Sequence, residues 1–384
     1  MRLPLPFAAL ALPLLLTAAC IADPEADESD RRADAAGRND AADPLAARDP
    51  APGETADVGP PDAEPRPLMQ AQVVLERLGF GSGIIDGAAG KGLENAIRGF
   101  QESRGLTVNG ELDEPTRAAL AEWDNIPATR VVTIPAAWSE RRYETLPEDM
   151  AGQAKVARLG YESLAERLAE RFHTTPEVLA RLNPGGRPAG PRGETAPSPG
   201  SAAAPQFAPG QQVRVPNVGG DAIDAASVDN MEWLATLRSL GVGSEQPRVA
   251  RIRVDESEGW LKAFDADDRL VAMFTVTTGS SNDPLPIGDW QVKGVAYNPP
   301  FAFDPELFWD VPDSEDKQRL PPGPNSPVGV VWIDLDKEHY GIHGTPAPEA
   351  IGRSESHGCV RLTNWDAARL AQMVSGTTKV EFRE

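Results

Sequence analysis

Tyr340-Gly341-Ile342-His343-Gly344-Thr345, followed eight residues later by Ser354-Glu355-Ser356-His357-Gly358-Cys359-Val360-Arg361-Leu362-Thr363-Asn364-Trp365, decides how this chain is read. A thiol attacks only as thiolate, and a free cysteine with a pKa of about 8.5 holds little of it at neutral pH. A neighbouring imidazole can take the proton, and His343 and His357 are both candidates. Gly358 permits a tight turn in which consecutive N–H groups point at one developing oxyanion. The residue types for acyl transfer therefore fall within about 20 residues.

Three other readings of the same residues stand beside this one. His339, His343, His357 and Cys359 are zinc-ligand types. However, Gly341 and the flanking alternation make the His339/His343 spacing that of a strand, and the metallopeptidase pattern is absent. Cys359 is also readable as an inert buried thiol, against which its polar flanks His357 and Arg361 argue. His339, among Asp336, Lys337, Glu338 and Tyr340, reads as a solvated loop residue. Arg361 suits a substrate carboxylate or an internal Asp or Glu by the same bidentate geometry.

Outward from this stretch, period two dominates. Ala250, Ile252 and Val254 alternate with charged residues, and Trp260 to Phe264, Leu270 to Thr278, Trp290 to Tyr297 and Val328 to Asp334 follow, so residues 248–384 are predicted β-rich. One helix interrupts them, with Thr363 or Asn364 as cap and Leu370, Met373 and Val374 facing inward. Ile342-His343-Gly344-Thr345 with Ser356-His357-Gly358-Cys359-Val360-Arg361 resembles the signature of the L,D-transpeptidase (YkuD-type) catalytic domain, and the resemblance covers Arg248 to Glu384. It implies a β-sandwich-like domain with one C-terminal helix, Cys359 as nucleophile and His343 as general base. The N–H groups of His357, Gly358 and Cys359 would form the oxyanion hole, Ser356 would shape the site, and Arg361, Tyr340 and Gly344 would bind substrate. It implies a tetrapeptide stem of peptidoglycan as acyl donor, a second stem, a protein lysine or water as acceptor, and no metal or organic cofactor. The competing readings are a non-catalytic wall-binding scaffold and an L,D-carboxypeptidase or amidase.

Upstream, residues 68–123 read as a small three-helix module, with Ala71, Val74, Leu75 and Leu78, then Leu93, Ala96, Ile97 and Phe100, at helical spacing and Asp113 as a third N-cap. Leu75-Glu76-Arg77-Leu78-Gly79-Phe80, Asp86-Gly87, Ile97-Arg98-Gly99-Phe100-Gln101, Gly110 and Thr116 resemble the type 1 peptidoglycan-binding domain. It is expected beside the catalytic domain, not packed on its site. Residues 155–217 resemble a LysM module, an α+β glycan-binding unit with Thr175 as a cap, interrupted by a Pro/Gly linker over 184–206. His173 reads as a helix-surface residue without a role.

The N-terminus sets the compartment. Arg2 and the 13-residue apolar run Phe7–Ala19 are too short to span a bilayer and read as an export signal over 1–20, with Cys20 at a lipoprotein-like processing site. Residues 21–67 carry nine Asp, four Glu and five Arg with almost no aromatic or β-branched residue, so they are predicted to be a disordered tether. The expected location is the periplasm or cell envelope, lipid-anchored to a membrane, with peptidoglycan as partner and an envelope protein as a candidate acceptor. The formal charge of −21 argues against nucleic acid. With Cys20 acylated, Cys359 has no intramolecular partner, which flags it as reactive.

Overall fold

The computed structural model describes residues 62, 64–140, 143–188, 207–219, 222–307, 311 and 316–384. The expected signal peptide with Cys20, nearly all of the 21–67 tether and the 189–206 part of the linker lie outside the described residues.

The first module is α1 (Pro67–Arg77), β1 (Phe80–Gly81), α2 (Lys91–Ser103) and α3 (Glu114–Leu120). Asp113 caps α3, its Oδ1 accepting from Thr116 N at 2.9 Å. Two buried glutamines brace the two similar turns: Gln72 Oε1 accepts from Gly87 N at 2.7 Å, and Gln101 Oε1 accepts from Gly110 N at 2.9 Å. Leu75 and Phe100 are wholly buried, each contributing about 1.5–3 kcal/mol. Phe80 and Trp123 meet Phe100 edge-on, with centroids at 6.1 and 6.3 Å.

The second module pairs β2 (Thr129–Thr133) antiparallel with β3 (Gln212–Pro216). The short α4 (Met150–Gln153) follows β2, and α5 (Leu164–Arg171) and α6 (Pro176–Leu182) share a core with the two strands. Ser163 and Thr175 cap α5 and α6. These strands and helices form one α+β unit whose first strand starts at Thr129, ahead of residue 155. About thirty residues separate β2 from α5, which hid their common unit from a local reading. His173 is not on the surface. It is fully buried, with Nδ1 3.0 Å from Glu76 Oε1, Nε2 3.2 Å from Leu240 O, and its ring stacked on Trp365 at 4.9 Å.

After α7 (Met231–Leu240) come β4 (Arg251–Asp255), β5 (Trp260–Phe264), β6 (Leu270–Thr275), β7 (Gly288–Tyr297), β8 (Phe301–Phe303), β9 (Gln318–Leu320), β10 (Val331–Leu335), β11 (Gly341–His343), β12 (Val360–Arg361), α8 (Asn364–Met373) and β13 (Lys379–Arg383). Strands β8 and β9 form a separate pair. The rest form one sheet in the order β1-β6-β5-β4-β13-β7-β10-β11-β12. It curls until Thr277, beyond β6, exchanges two backbone hydrogen bonds of 3.0 and 2.8 Å with Arg361 in β12.

The helical module is not beside this domain but part of its sheet. Strand β1 runs parallel to β6, with Phe80 opposite Met273 and Gly81 opposite Phe274. Trp260 and Met273 then join the module's apolar core, so β5 is buried on both faces where a strict alternation was expected. Arg98 Nη1 donates to Glu258 Oε2 at 2.7 Å and Asn95 Nδ2 to Gly259 O at 3.2 Å across the same boundary. No helix among the described residues is long and apolar enough to cross a membrane.

Candidate active site

Strands β11 and β12 run parallel, with Ile342 opposite Val360 and His343 opposite Arg361. Residues two apart share a strand face, so continuing the register sets Cys359 opposite Gly341 on the face of His343. Ile342 and Val360 point the other way, into the core. A parallel pair of short strands thus sets the His343 ring and the Cys359 thiol on one face from segments that a loop separates.

His343 is 4% exposed, and its Nδ1 lies 2.7 Å from the Gly344 carbonyl oxygen. A carbonyl can only accept, so Nδ1 carries the proton and Nε2 keeps its lone pair. Trp332, opposite His343 in β10, stacks on the ring at 5.4 Å and 18°. Burial, helped by the Arg361 charge, pushes the imidazole down to about 4, and the Gly344 hydrogen bond opposes the shift. Burial raises the Cys359 thiol above its usual value, while a Gly341 backbone hydrogen bond and Arg361 pull it back. Both groups therefore rest neutral at pH 7.

The approach to Cys359 is fixed by its loop. Ser356 N donates to Thr278 O at 2.8 Å and Ser356 Oγ donates to Cys359 O at 2.6 Å, which pins both ends of the turn. Gly358 sits at φ +88°, and a Cβ there would lie 2.6 Å from the Tyr340 ring, so both the backbone and the close contact require glycine. The half-buried Tyr340 ring covers this turn, with Lys337 Nζ 5.5 Å from its centroid. Cys359 Sγ lies 3.8 Å from the carbonyl oxygen of His339, whose own side chain is exposed.

Tyr340, His343, Ser356, His357, Gly358, Cys359 and Arg361 thus gather around one strand pair. Gly344 differs from expectation. It is buried, a Cβ on it would collide with Asn364 Oδ1, and its carbonyl serves His343 instead of lining a substrate surface. Sequence reasoning missed Trp332, whose only signal was an aromatic at an alternating position opposite a histidine. It also missed Asn364, read as a cap, which is fully buried. Among the described residues, no three of His, Cys, Asp or Glu converge as metal ligands.

Residues 250–382 match the family model described as "L,D-transpeptidase catalytic domain", and residues 67–120 match that of a "Putative peptidoglycan binding domain". The chain thus carries a catalytic domain of the L,D-transpeptidase family behind a domain of the peptidoglycan-binding type. Among curated proteins it is similar to "Putative L,D-transpeptidase YkuD" of Bacillus licheniformis, 48% identical over 61 residues, 16% of this chain and 37% of that one. It is also similar to "Putative L,D-transpeptidase YqjB" of Bacillus subtilis, 30% identical over 120 residues, 30% of this chain and 60% of that one. The chain therefore spans 37% and 60% of the length of these relatives, less than two thirds of either. A solved structure of L,D-transpeptidase 3 from Mycobacterium tuberculosis aligns at TM-score 0.30 and 18% identity, over 47% of this chain and 77% of that one.

Proposed function

We propose that this chain is a peptidoglycan L,D-transpeptidase of the cell envelope, exported through residues 1–20 and anchored by lipid at Cys20. The observation that carries the chemistry is the His343 Nδ1–Gly344 O hydrogen bond of 2.7 Å, on the strand whose register faces Cys359. It leaves Nε2 as the basic atom of the ring. Nε2 takes the Cys359 proton as Sγ attacks the carbonyl between diaminopimelate and the terminal D-alanine of a tetrapeptide stem. The N–H groups around Gly358 meet the oxyanion, and the imidazolium returns its proton to the departing D-alanine amine. The thioester left on Cys359 is then attacked by an amine, whose proton passes to Nε2 as the new amide forms and the thiolate leaves. A second stem gives a 3–3 cross-link, a protein lysine an anchored protein.

The resting state is thus a neutral thiol–imidazole pair, and proton transfer accompanies attack. Arg361, one register step from the thiol, favours the thiolate as it forms and suits a carboxylate of the stem. The test is intact mass after incubation with a carbapenem or a muropeptide. The wild type gains an adduct and Cys359→Ala does not; an adduct on the variant overturns the assignment. Mass spectrometry of digested wall then separates cross-linking from protein attachment and from hydrolysis.

A further inference from the structure

The catalytic base is braced by a residue of a different module. Asn364, the first residue of α8, is fully buried where three segments meet. Its Oδ1 accepts from Val330 N at 3.2 Å and packs against the α-carbon of Gly344, the residue whose carbonyl holds His343 Nδ1. Its Nδ2 donates to Pro324 O at 3.1 Å and to Glu170 Oε1 at 2.6 Å. Glu170 belongs to α5 of the second module, 194 residues earlier in the chain, and is 7% exposed. An amide has two chemically different ends, and Val330 N with Pro324 O sets which of them faces Gly344. The Glu170 carboxylate adds the shortest bond of the set, and without it the side chain that seats the 344 backbone is held less tightly.

Resting on the transpeptidase reading above, we propose that Glu170 is a positioning residue for the reaction: through Asn364 it fixes the Gly344 carbonyl and hence the tautomer and aim of His343. The second module then acts as a buttress of the active site, whatever glycan it binds. Glu170 touches no reacting atom. Tyr161 and, on the same helix, Glu166 complete the polar surroundings of its carboxyl group, which burial pushes up to about 7.

Two substitutions of similar bulk separate position from charge. Glu170→Gln keeps the length and an oxygen for Asn364 Nδ2, with its amide NH2 turned away from Asn364. Glu170→Asp keeps the carboxylate but withdraws the oxygen by one methylene. In the full chain, with folding checked by circular dichroism, the limiting rate of Cys359 acylation by a small β-lactam is read apart from the dissociation constant of the initial complex. We expect Glu170→Asp to lose about ten- to a hundredfold in the limiting rate with the dissociation constant little changed, the scale of a displacement near 1 Å. Glu170→Gln should stay close to wild type. Equal rates for folded Glu170→Asp and wild type overturn the proposal, and so does a loss in Glu170→Gln as large as in Glu170→Asp. Should Glu170→Asp not fold, Asn364→Asp sets two acceptors face to face, and adding Glu170→Gln must recover part of the rate; no recovery overturns it. Acylation surviving in Cys359→Ala would instead sink the transpeptidase reading.

Discussion

His343 is held neutral by its surroundings, and under the proposed mechanism this sets the response to acid. A base pushed down to about 4 stays competent across the neutral range and is lost only as it protonates. We expect the rate of Cys359 acylation to be free of an acid limb above about pH 5 and to fall through about pH 4; a limb between 6 and 7 would mean that the resting ring is exposed or ion-paired. The same ring couples pH to stability. Its folded value lies below the unfolded 6.5, so the unfolded chain protonates first as pH falls. The ring's contribution is complete above 6.5 and is lost toward 4, about 3 kcal/mol in all. Thermal melts of wild type and His343→Gln should converge as pH drops through that window. His357 has no such seat in a strand and is half-buried in the loop. His343→Ala should therefore cost acylation about a hundredfold or more, and His357→Ala clearly less. Single-turnover rates decide it, with a larger loss at 357 reversing the roles.

Helix α8 shows what could be read from its residues and what could not. Thr363 reads as the cap and is one, its Oγ1 accepting from Asp366 N at 3.2 Å. Leu370 and Met373 face inward as their spacing requires. Nothing local marks Asp366 and Arg369 as fully buried, because their neighbours Gly81 and Glu76 come from a module about 290 residues earlier. Arg369 Nη1 donates to Glu76 Oε1 at 2.7 Å and to Glu76 O at 3.0 Å, and His173 approaches the same carboxylate oxygen. A helix with charges on the side away from its sheet reads as solvated until the partner charges are known. The signature around Cys359 was legible for the opposite reason: its chemistry is local, and one parallel pairing of short strands assembles it. The packing of Gly344 against Asn364 was not legible, because the partners that hold Asn364 come from long-range packing. Breaking this buried set from one side should be severe. Arg369→Met takes the guanidinium away from the buried Glu76 carboxylate, for which about 3–5 kcal/mol of lost stability is usual. Urea melts of the variant and of Glu76→Gln/Arg369→Met should show the double change to be the milder of the two. A single variant as stable as wild type would mean that water reaches Glu76.

For the whole molecule, the parallel pairing of β1 with β6 changes what the N-terminal module is for. A module hanging on a flexible linker would be removable without touching the chemistry. Here its removal strips β6 of its edge partner, exposes Trp260 and Met273, and leaves Arg369 without Glu76. An uncovered edge strand beside apolar side chains is a template for association with other chains. Strand β6 leads directly to Thr277, which closes the sheet on Arg361, and to Thr278, which holds Ser356 of the cysteine loop. Damage at β6 therefore reaches the site through two residues of the same strand extension. We expect deletion of residues 67–123 to yield a chain that aggregates or melts well below the full protein and acylates Cys359 poorly, while point changes on the module's solvent face, such as Val108→Ser, leave both intact. Light scattering, thermal melting and intact-mass acylation measure this together. Sedimentation with insoluble peptidoglycan, measured on the surface variants and not on the deletion, then reports wall binding separately from folding. A deletion chain that stays monomeric and acylates at the full rate would show that β6 needs no partner and that the module is a wall-binding attachment after all.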